Sequence, residues 1–452
     1  MTMWKMPSVI LGAVLLFGGT LALADAARQE QDAWGRDPLA LLPEGSEKRQ
    51  FILDCTGCHR MDMARAFPGG QGRTAAEWRD DVARMLGFAG ATTGFPVISS
   101  GRSPEGTASW LPRYWAAASA VPPYRPIAAV TNGRADIRTY LLDRANDLPH
   151  DIAVDSGGRV VVTGMMSHQM LTLDTASGKW SSIPIPVAAA NPRALDVDAA
   201  GRWWVALGRP RMVARFDPRT TEWLVAEAGV YAHSVALAPD GGAWLNGHFS
   251  KDPAVIARVD TVRRSVETMA LPNHPTLATD PGGPIPYELR VAPNGVVWTS
   301  ELQGNRLVGY DPVRRASTVI EMPVPDMGPR RFDIDSSGVL WVPAYAANEL
   351  VRVDPHGEGP ALIERFPLPI PNLLPYVVRM DRGRGGLWLG TGAGDVVLHF
   401  SPATRTFTRY TLPDTGAIIR HLTVDPRNGD VWLAYGASPG IAARIARLRP
   451  SM

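Results

Sequence analysis

Residues 331–355, RFDIDSSGVLWVPAYAANELVRVDP, contain one unit of a repeat that fills most of the chain. The unit reads as a strand that ends near an Asp, a turn with Gly338, a strand that holds Trp341, and a strand that ends in Asp354-Pro355. A fourth strand, often ending in Leu-Pro, completes it. Seven such units, spaced 40 to 54 residues apart, predict a mainly β protein with a seven-bladed β-propeller. The Trp position holds Val161, Trp204, Trp244, Trp298, Trp341, Trp388 and Trp432.

The two ends of the repeat indicate how the propeller closes. The last unit begins near Ile418 and has three strands, the third at residues 443–448. An orphan strand at residues 137–142 precedes the first unit and resembles the outer strand at residues 407–412. We expect the orphan strand to complete the seventh blade and so to remove an exposed sheet edge. A β-sandwich is the alternative architecture, but it does not predict matched units with one of them split. The propeller is assigned to residues 136–452.

The chain has two cysteines, Cys55 and Cys58, and His59 follows them directly. C-x-x-C-H is the attachment signature of c-type haem. Two thiols reach the two vinyl groups of the porphyrin, and the next residue places an imidazole under the iron. A redox-active dithiol would be expected within a βαβ unit, which this sequence does not show. A zinc site would need a second pair of cysteines, which the chain does not contain. The pattern predicts one covalent haem c in a small α-helical, cytochrome c-like domain at residues 44–118, followed by a Pro-rich linker at residues 119–135.

The second axial ligand of the iron is predicted on a helix. Thr74 and Glu77 have the spacing of a capping box, and apolar residues then recur along one helix face. Met85 lies on that face and is the predicted distal ligand; the alternative is a methionine of the core. Methionine ligation suits electron transfer, whereas a vacant site suits peroxide or oxygen chemistry.

The N-terminal residues predict export. Lys5 precedes an apolar run from Val9 to Leu23, and residues 22–24 read Ala-Leu-Ala, a cleavage pattern of signal peptides. Residues 1–24 are therefore assigned to a signal peptide, with a retained membrane anchor as the alternative. We expect a periplasmic or otherwise exported protein without a membrane span after signal removal. Charge is nearly balanced, with 46 basic and 44 acidic residues, so no nucleic-acid partner is expected.

The starts of the inner strands place polar side chains at one mouth of the propeller channel. Three Arg, two His and two Tyr occupy equivalent positions of the seven units, five residues before the closing Asp or its equivalent. Second strands end at the same mouth because neighbouring strands are antiparallel, which adds His248 and Glu301. Such a funnel is expected to attract an anionic or aromatic ligand. The alternative is that these side chains only support neighbouring blades. The seven residues are His150, Arg193, His233, Tyr287, Arg330, Tyr376 and Arg420.

The repeat resembles the streptogramin B (virginiamycin B) lyase family of seven-bladed propellers over about residues 137–448. Residues 148–155, LPHDIAVD, followed by Gly158, are similar to the family's P-H-x-I…D-x-x-G unit, and residues 298–301, WTSE, to its W-F-T-E segment. The resemblance implies that Glu301 works with a His of the same blade and a bound Mg²⁺. Tyr287 stands where that His is expected.

In this sequence, the His and the Glu of the family's catalytic pair do not occur in the same blade. His150 and His233 occupy the matching position of other blades, and those blades have Gly164 and Gly247 where Glu would be. Glu288 could join Glu301 as a second metal carboxylate. The candidate catalytic residues are thus Glu301, His150 and His233.

The sequence leaves three functions open. The first is periplasmic electron transfer, in which the haem passes electrons and the propeller binds a small substrate or a redox partner protein. The second is a metal-dependent carbon–oxygen lyase that keeps a haem domain for docking or sensing. The third is a propeller scaffold with a docking cytochrome, since fold alone does not determine function.

Overall fold

The computed structural model describes residues 35–87, 102–144, 146–208, 210–261, 263, 265–277, 283–356, 359–436 and 442–451. Residues 1–24, assigned to a signal peptide, and the predicted cleavage site lie outside this range. Within it, no helix combines the length and the apolar character needed to cross a bilayer.

Seven antiparallel sheets of four main strands form a closed ring, which confirms the predicted seven-bladed propeller. Each inner strand lies beside the inner strands of both neighbouring blades, including those of blades 7 and 1. Blade 1 has strands Pro149–Val154, Val160–Gly164, Gln169–Asp174 and Lys179–Pro184. Blade 2 has Pro192–Val197, Trp203–Leu207, Met212–Asp217 and Glu222–Glu227. Blade 3 has Val235–Leu237, Ala243–Asn246, Val255–Asp260 and Ser265–Ala270. Blade 4 has Pro286–Val291, Val297–Glu301, Arg306–Asp311 and Ala316–Glu321. Blade 5 has Asp333–Ile334, Leu340–Ala344, Glu349–Asp354 and Leu362–Pro367. Blade 6 has Pro375–Met380, Leu387–Thr391, Val396–Ser401 and Thr406–Thr411.

Blade 7 is built from both ends of the propeller. Its inner strands are Ile419–Val424, Val431–Tyr435 and Arg444–Pro450, and its outer strand is Ala135–Leu141, which pairs antiparallel with the last strand of the chain. The strand Thr131–Asn132, within the stretch expected to be linker, adds a short parallel edge to blade 6. Pairing of Ala135–Leu141 with Arg444–Pro450 covers the edge that an open ring would expose.

The repeated Asp and Trp of the sequence contact each other within a blade. The indole N–H donates to the carboxylate that closes the inner strand, from Trp204 to Asp198 at 3.0 Å and from Trp388 to Asp381 at 3.0 Å. The same carboxylates accept backbone N–H groups of the following turn. One Asp therefore satisfies both the turn and a buried indole, which explains why the two residues recur together.

The helical segment before the propeller has an aromatic core that is continuous with that of the blades. Trp115 packs against Phe51 and Trp78, with ring centroids 5.6 and 5.4 Å apart, and these residues share one apolar cluster with Tyr345 and Tyr376 of the propeller. The capping box predicted at Thr74 and Glu77 is confirmed. The α-helices are Ser46–Cys55, Met63–Ala66, Ala75–Leu86 and Pro104–Trp110. The 3₁₀ helices are Pro38–Leu41, Pro68–Gly70, Leu111–Arg113 and Ala118–Ala120.

Candidate functional site

The end of helix Ser46–Cys55 and the turn after it lie across one mouth of the propeller. A cavity of about 60 Å³ remains between them, which is room for roughly four water molecules. Its roof includes Leu53, Gly57 and Cys58. Its floor includes all seven side chains that the sequence places at the starts of the inner strands, together with His248. The mouth is therefore covered by the segment that carries the C-x-x-C-H motif, from here on called the cover segment (residues 53–60).

Backbone bulges aim two successive side chains of an inner strand into the channel. In a regular strand, neighbouring side chains point to opposite faces. The pairing of the inner strand with the second strand shifts register in blades 1, 2, 4, 6 and 7, near the first residues of each inner strand. A bulge adds one residue and turns its side chain. The channel has a mouth ring, at the positions of His150 and its equivalents, and a second layer in which the next residues of four blades, Asp151, Glu288, Arg331 and His421, are linked by ionic and hydrogen-bond contacts.

Three contacts hold the cover segment on the propeller. The Tyr345 hydroxyl donates to the Thr56 carbonyl at 3.0 Å and lies 2.8 Å from the Thr56 hydroxyl. The Arg420 guanidinium donates to the Cys58 carbonyl at 2.5 Å. Arg60 pairs with Asp395 at 3.0 Å. These bonds engage the carbonyl of the residue after the first cysteine and the carbonyl of the second cysteine, so they position the motif directly.

Arg330 is the most unusual member of the mouth ring. Its side chain is 0% exposed, and its guanidinium lies 3.7 Å from the ring centroid of Tyr345 and 4.3 Å from that of Tyr376. Its Nη1 donates to the Tyr287 hydroxyl at 3.2 Å, and that hydroxyl lies 2.6 Å from the Tyr376 hydroxyl. Its Nε and Nη2 have no hydrogen-bond partner. Arg330 and Arg420 form no ion pair with a carboxylate among the described residues.

The histidines of the mouth ring are neutral at physiological pH. Burial lowers the pKa of His150 to about 4, although Asp151 lies 2.9 Å away, because the charge of Asp151 is already engaged by Arg331 at 2.8 Å. Burial likewise lowers the pKa of His248 to about 3 and that of His233 well below its usual value. A general base works best with a pKa near the operating pH, so His150 and His233 are poorly matched to proton transfer at pH 7. The positive charge of the mouth resides on its arginines.

The second layer of the channel is a buried network of paired charges. Arg331 contacts Asp151 at 2.8 Å and Glu288 at 4.0 Å. Glu288 also pairs with Arg290 at 2.7 Å and with Arg379 at 3.1 Å. Glu288 therefore has three guanidinium neighbours, whereas Arg331 is the guanidinium that pairs with Asp151.

Glu288 and Glu301, which the sequence offers as metal carboxylates, are each paired with arginine side chains. Glu301 is fully buried and accepts from Arg306 Nε at 2.5 Å and from Arg306 Nη2 at 3.3 Å, whereas Glu288 belongs to the second layer. Neither carboxylate lines the cavity at the mouth. In the part of the chain that the structure describes, three or more His, Cys, Asp or Glu side chains do not cluster in a way that would hold a metal ion.

Three of the four predicted haem ligands, Cys55, Cys58 and His59, belong to the cover segment, and the fourth, Met85, lies on a separate helix. Cys55 is the last residue of its helix, and both cysteines are free thiols. Burial raises the pKa of Cys55 to about 12 and that of Cys58 above its usual value. His59 Nδ1 lies 3.3 Å from the Arg60 carbonyl, and Met85 is half-buried in the last turn of helix Ala75–Leu86.

Sequence reasoning missed the partners that span the two parts of the chain. Thr56 and Tyr345 are 289 residues apart, and Arg331 and His150 are 181 residues apart. The repeat alignment contained one usable signal, because the residues that follow the mouth ring include Asp151, Glu288, Arg331 and His421. These are too polar for the alternate face of a regular inner strand.

Comparisons with known proteins identify the fold. No family model matches the sequence, and no curated protein matches it. Virginiamycin B lyase from Staphylococcus aureus is 18% identical with a TM-score of 0.60, over 70% of this chain and 99% of that chain. A streptogramin B lyase structure is 17% identical with a TM-score of 0.61, over 70% of this chain and 98% of that one. Kuenenia stuttgartiensis hydrazine synthase is 15% identical with a TM-score of 0.50, over 65% of this chain and 94% of that chain. At these identities the likeness concerns architecture: the structural neighbours are streptogramin B lyase-like seven-bladed propellers.

Proposed function

We propose that this chain is an exported haem c protein of periplasmic electron transfer, in which the propeller mouth seats the haem-attachment segment. The observation that carries the proposal is the placement of the motif. The chain's two cysteines and His59 belong to the cover segment, which Tyr345 and Arg420 hold on the mouth ring. A segment held on a rigid ring by its own backbone suits a group that must keep a constant orientation.

The donor set fits a c-type haem. Cys55 and Cys58 supply two thiols that are not committed to a disulfide. His59 can donate its Nδ1–H to the Arg60 carbonyl, a bond that leaves Nε2 as the ligand atom. Met85 is the proposed distal ligand. Bound haem supplies one-electron transfer at a potential set by its ligands and surroundings.

The rest of the chain would hold the group and limit access to it. A cavity of about 60 Å³ is too small for a partner protein or an aromatic substrate. A redox partner would therefore contact the helical segment from outside the channel, and any ligand inside the mouth would be a small one. In this proposal the neutral histidines of the mouth position neighbouring groups and take no part in proton transfer.

Covalent haem is tested by producing the full chain in a bacterial host that matures c-type cytochromes. We expect one haem that remains attached after denaturation and shows reversible one-electron reduction in a redox-titrated visible spectrum. Cys55→Ala with Cys58→Ala should lose the attached haem, and Met85→Ala should keep it but alter the spectrum. A native chain that emerges without covalent haem from such a host, while a control cytochrome is matured, would overturn the proposal.

A metal-dependent carbon–oxygen lyase has less support. Tyr287 replaces the expected His, and Glu301 is engaged by Arg306 outside the cavity. An elimination assay on cyclic ester substrates with Mg²⁺ compares the two functions directly. Turnover that is lost in Glu301→Gln but kept in Cys55→Ala would favour the lyase.

A further inference from the structure

Arg330 presents two unsatisfied donors inside the covered mouth. Its Nε and Nη2 are buried and lack an acceptor, while Nη1 is satisfied by Tyr287. A buried charge without a partner is costly, and the faces of Tyr345 and Tyr376 compensate it only in part. A negatively charged hydrogen-bond acceptor would therefore stabilise Arg330.

Other arginines lie near Arg330, and few acidic side chains there oppose their positive charge. Arg193 and Arg420 line the same cavity. Arg420 donates to the carbonyls of Cys58 and Gly436, which are neutral acceptors. The one acidic side chain that lines the cavity, Asp54, is paired with Arg102 at 2.6 Å. Among the described groups, the guanidiniums thus dominate the field in this space.

The size of the cavity restricts the ligand. Room for roughly four water molecules admits a carboxylate or oxyanion of about three to five heavy atoms and excludes citrate, nucleotides and aromatic acids. Planar, bidentate recognition is what a guanidinium offers to a carboxylate or similar oxyanion.

We propose that the covered mouth is a binding site for a small carboxylate or oxyanion from solution, held by the free Nε–H and Nη2–H donors of Arg330 next to Cys58. This site is inferred from the geometry of the propeller and the cover segment alone. The proposed function is needed only for a second consequence: negative charge beside the haem-attachment segment would stabilise the oxidised haem, so saturating anion would lower the midpoint potential.

Binding is tested on the purified full chain at constant ionic strength, with acetate and nitrite as probes and citrate as an anion too large to enter. Calorimetric titration and thermal melting should show saturable binding and a rise in Tm with the small anions only. Arg330→Gln should weaken binding about tenfold or more, because a charge-assisted pair is lost. Arg330→Lys should also bind more weakly, because it keeps the charge without the planar donors. Arg405→Gln, an exposed arginine paired with Glu364 on blade 5, is the matched control and should bind like the native chain.

Two results would overturn the proposal. One is equal anion dependence of the native chain and Arg330→Gln. The other is anion binding only in Cys55→Ala with Cys58→Ala, because the acceptor in the mature protein would then be a carboxylate of the haem itself. If the chain proves to lack haem, the calorimetric test still applies, so the failure of the proposed function and the failure of this site are distinguishable.

Discussion

Arg330 and Arg331 are neighbours in the sequence and both are buried, with 0% and 1% of their surface exposed, but they have opposite surroundings. Arg331 lies in the second layer, where Asp151 and Glu288 balance its charge and its Nε alone lacks a hydrogen-bond partner. Arg330 lies in the mouth ring, where tyrosines surround it and two of its donors are unsatisfied. A buried charge with matched partners is part of the scaffold, whereas a buried charge without one indicates a place where something else binds. The comparison thus separates the structural part of the channel from its candidate site.

Replacing the two arginines in turn is the strongest test of this difference. Arg331→Met leaves Asp151 without its guanidinium partner and removes one of the three cations around Glu288, so it should lower the free energy of unfolding by about 3–5 kcal/mol. Arg330→Met removes a charge that no carboxylate balances and should change the free energy of unfolding by less than about 1.5 kcal/mol in the absence of anions. Chemical denaturation of both full chains measures the two values. Equal losses would mean that both arginines serve the scaffold.

We expect acid to lower the free energy of unfolding, because the buried histidines at the mouth are neutral in the native chain. The pKa of His150 is lowered to about 4 and that of His248 to about 3, mainly by burial, from an ordinary value of 6.5. The unfolded chain therefore binds more protons than the native chain between pH 6.5 and about 4. Stability that is complete above pH 6.5 should fall as the pH drops through this window, by up to about 1.4 kcal/mol per pH unit for each group.

The acid effect can be assigned by substitution. His248→Gln removes one buried titrating group of the mouth, so its Tm should fall less steeply from pH 6.5 to pH 4 than that of the native chain. His356→Gln changes a histidine outside the mouth, in the turn after the third strand of blade 5, and should leave the slope unchanged. Identical slopes for the native chain and His248→Gln would contradict the assignment.

The smallest expected effect concerns the attachment of the cover segment. Tyr345→Phe removes the hydroxyl that contacts Thr56 and should cost about 1–2 kcal/mol locally. Hydrogen exchange should speed up at residues 53–60 and remain unchanged in the outer blades. Tyr435→Phe, which loses a bond to Asp414 in blade 7, is the matched control and should leave residues 53–60 protected. Faster exchange across the whole propeller would indicate a general loss of stability.

Much of the fold could be predicted because its determinants are local and repeated. The Asp, Gly and Trp of each unit specify a strand, a tight turn and a buried indole within about 10 residues. Trp204 and Asp198 illustrate this, since the bond that links them lies inside one hairpin. The same alignment identified the residues that meet at the mouth, because equivalent positions of a ring of blades face one channel.

The roles of those residues could not be predicted in the same way. Glu301 was expected to be a metal ligand, but Arg306 lies across from it on the next strand and engages it. The aromatic surroundings of Arg330 come from Tyr287, Tyr345 and Tyr376, which belong to three different blades. A repeat alignment shows which positions are equivalent, but it does not show which neighbours satisfy each side chain.

The periodic propeller and the C-x-x-C-H motif can be recognised without a structure, because both depend on residues close together in the chain. The position of the motif over the mouth, and the difference between the paired Arg331 and the unpaired Arg330, emerge only from the folded chain. Burial and charge pairing depend on groups brought together from distant parts of the sequence. The energy of a buried charge depends on those neighbours far more than on the residue type.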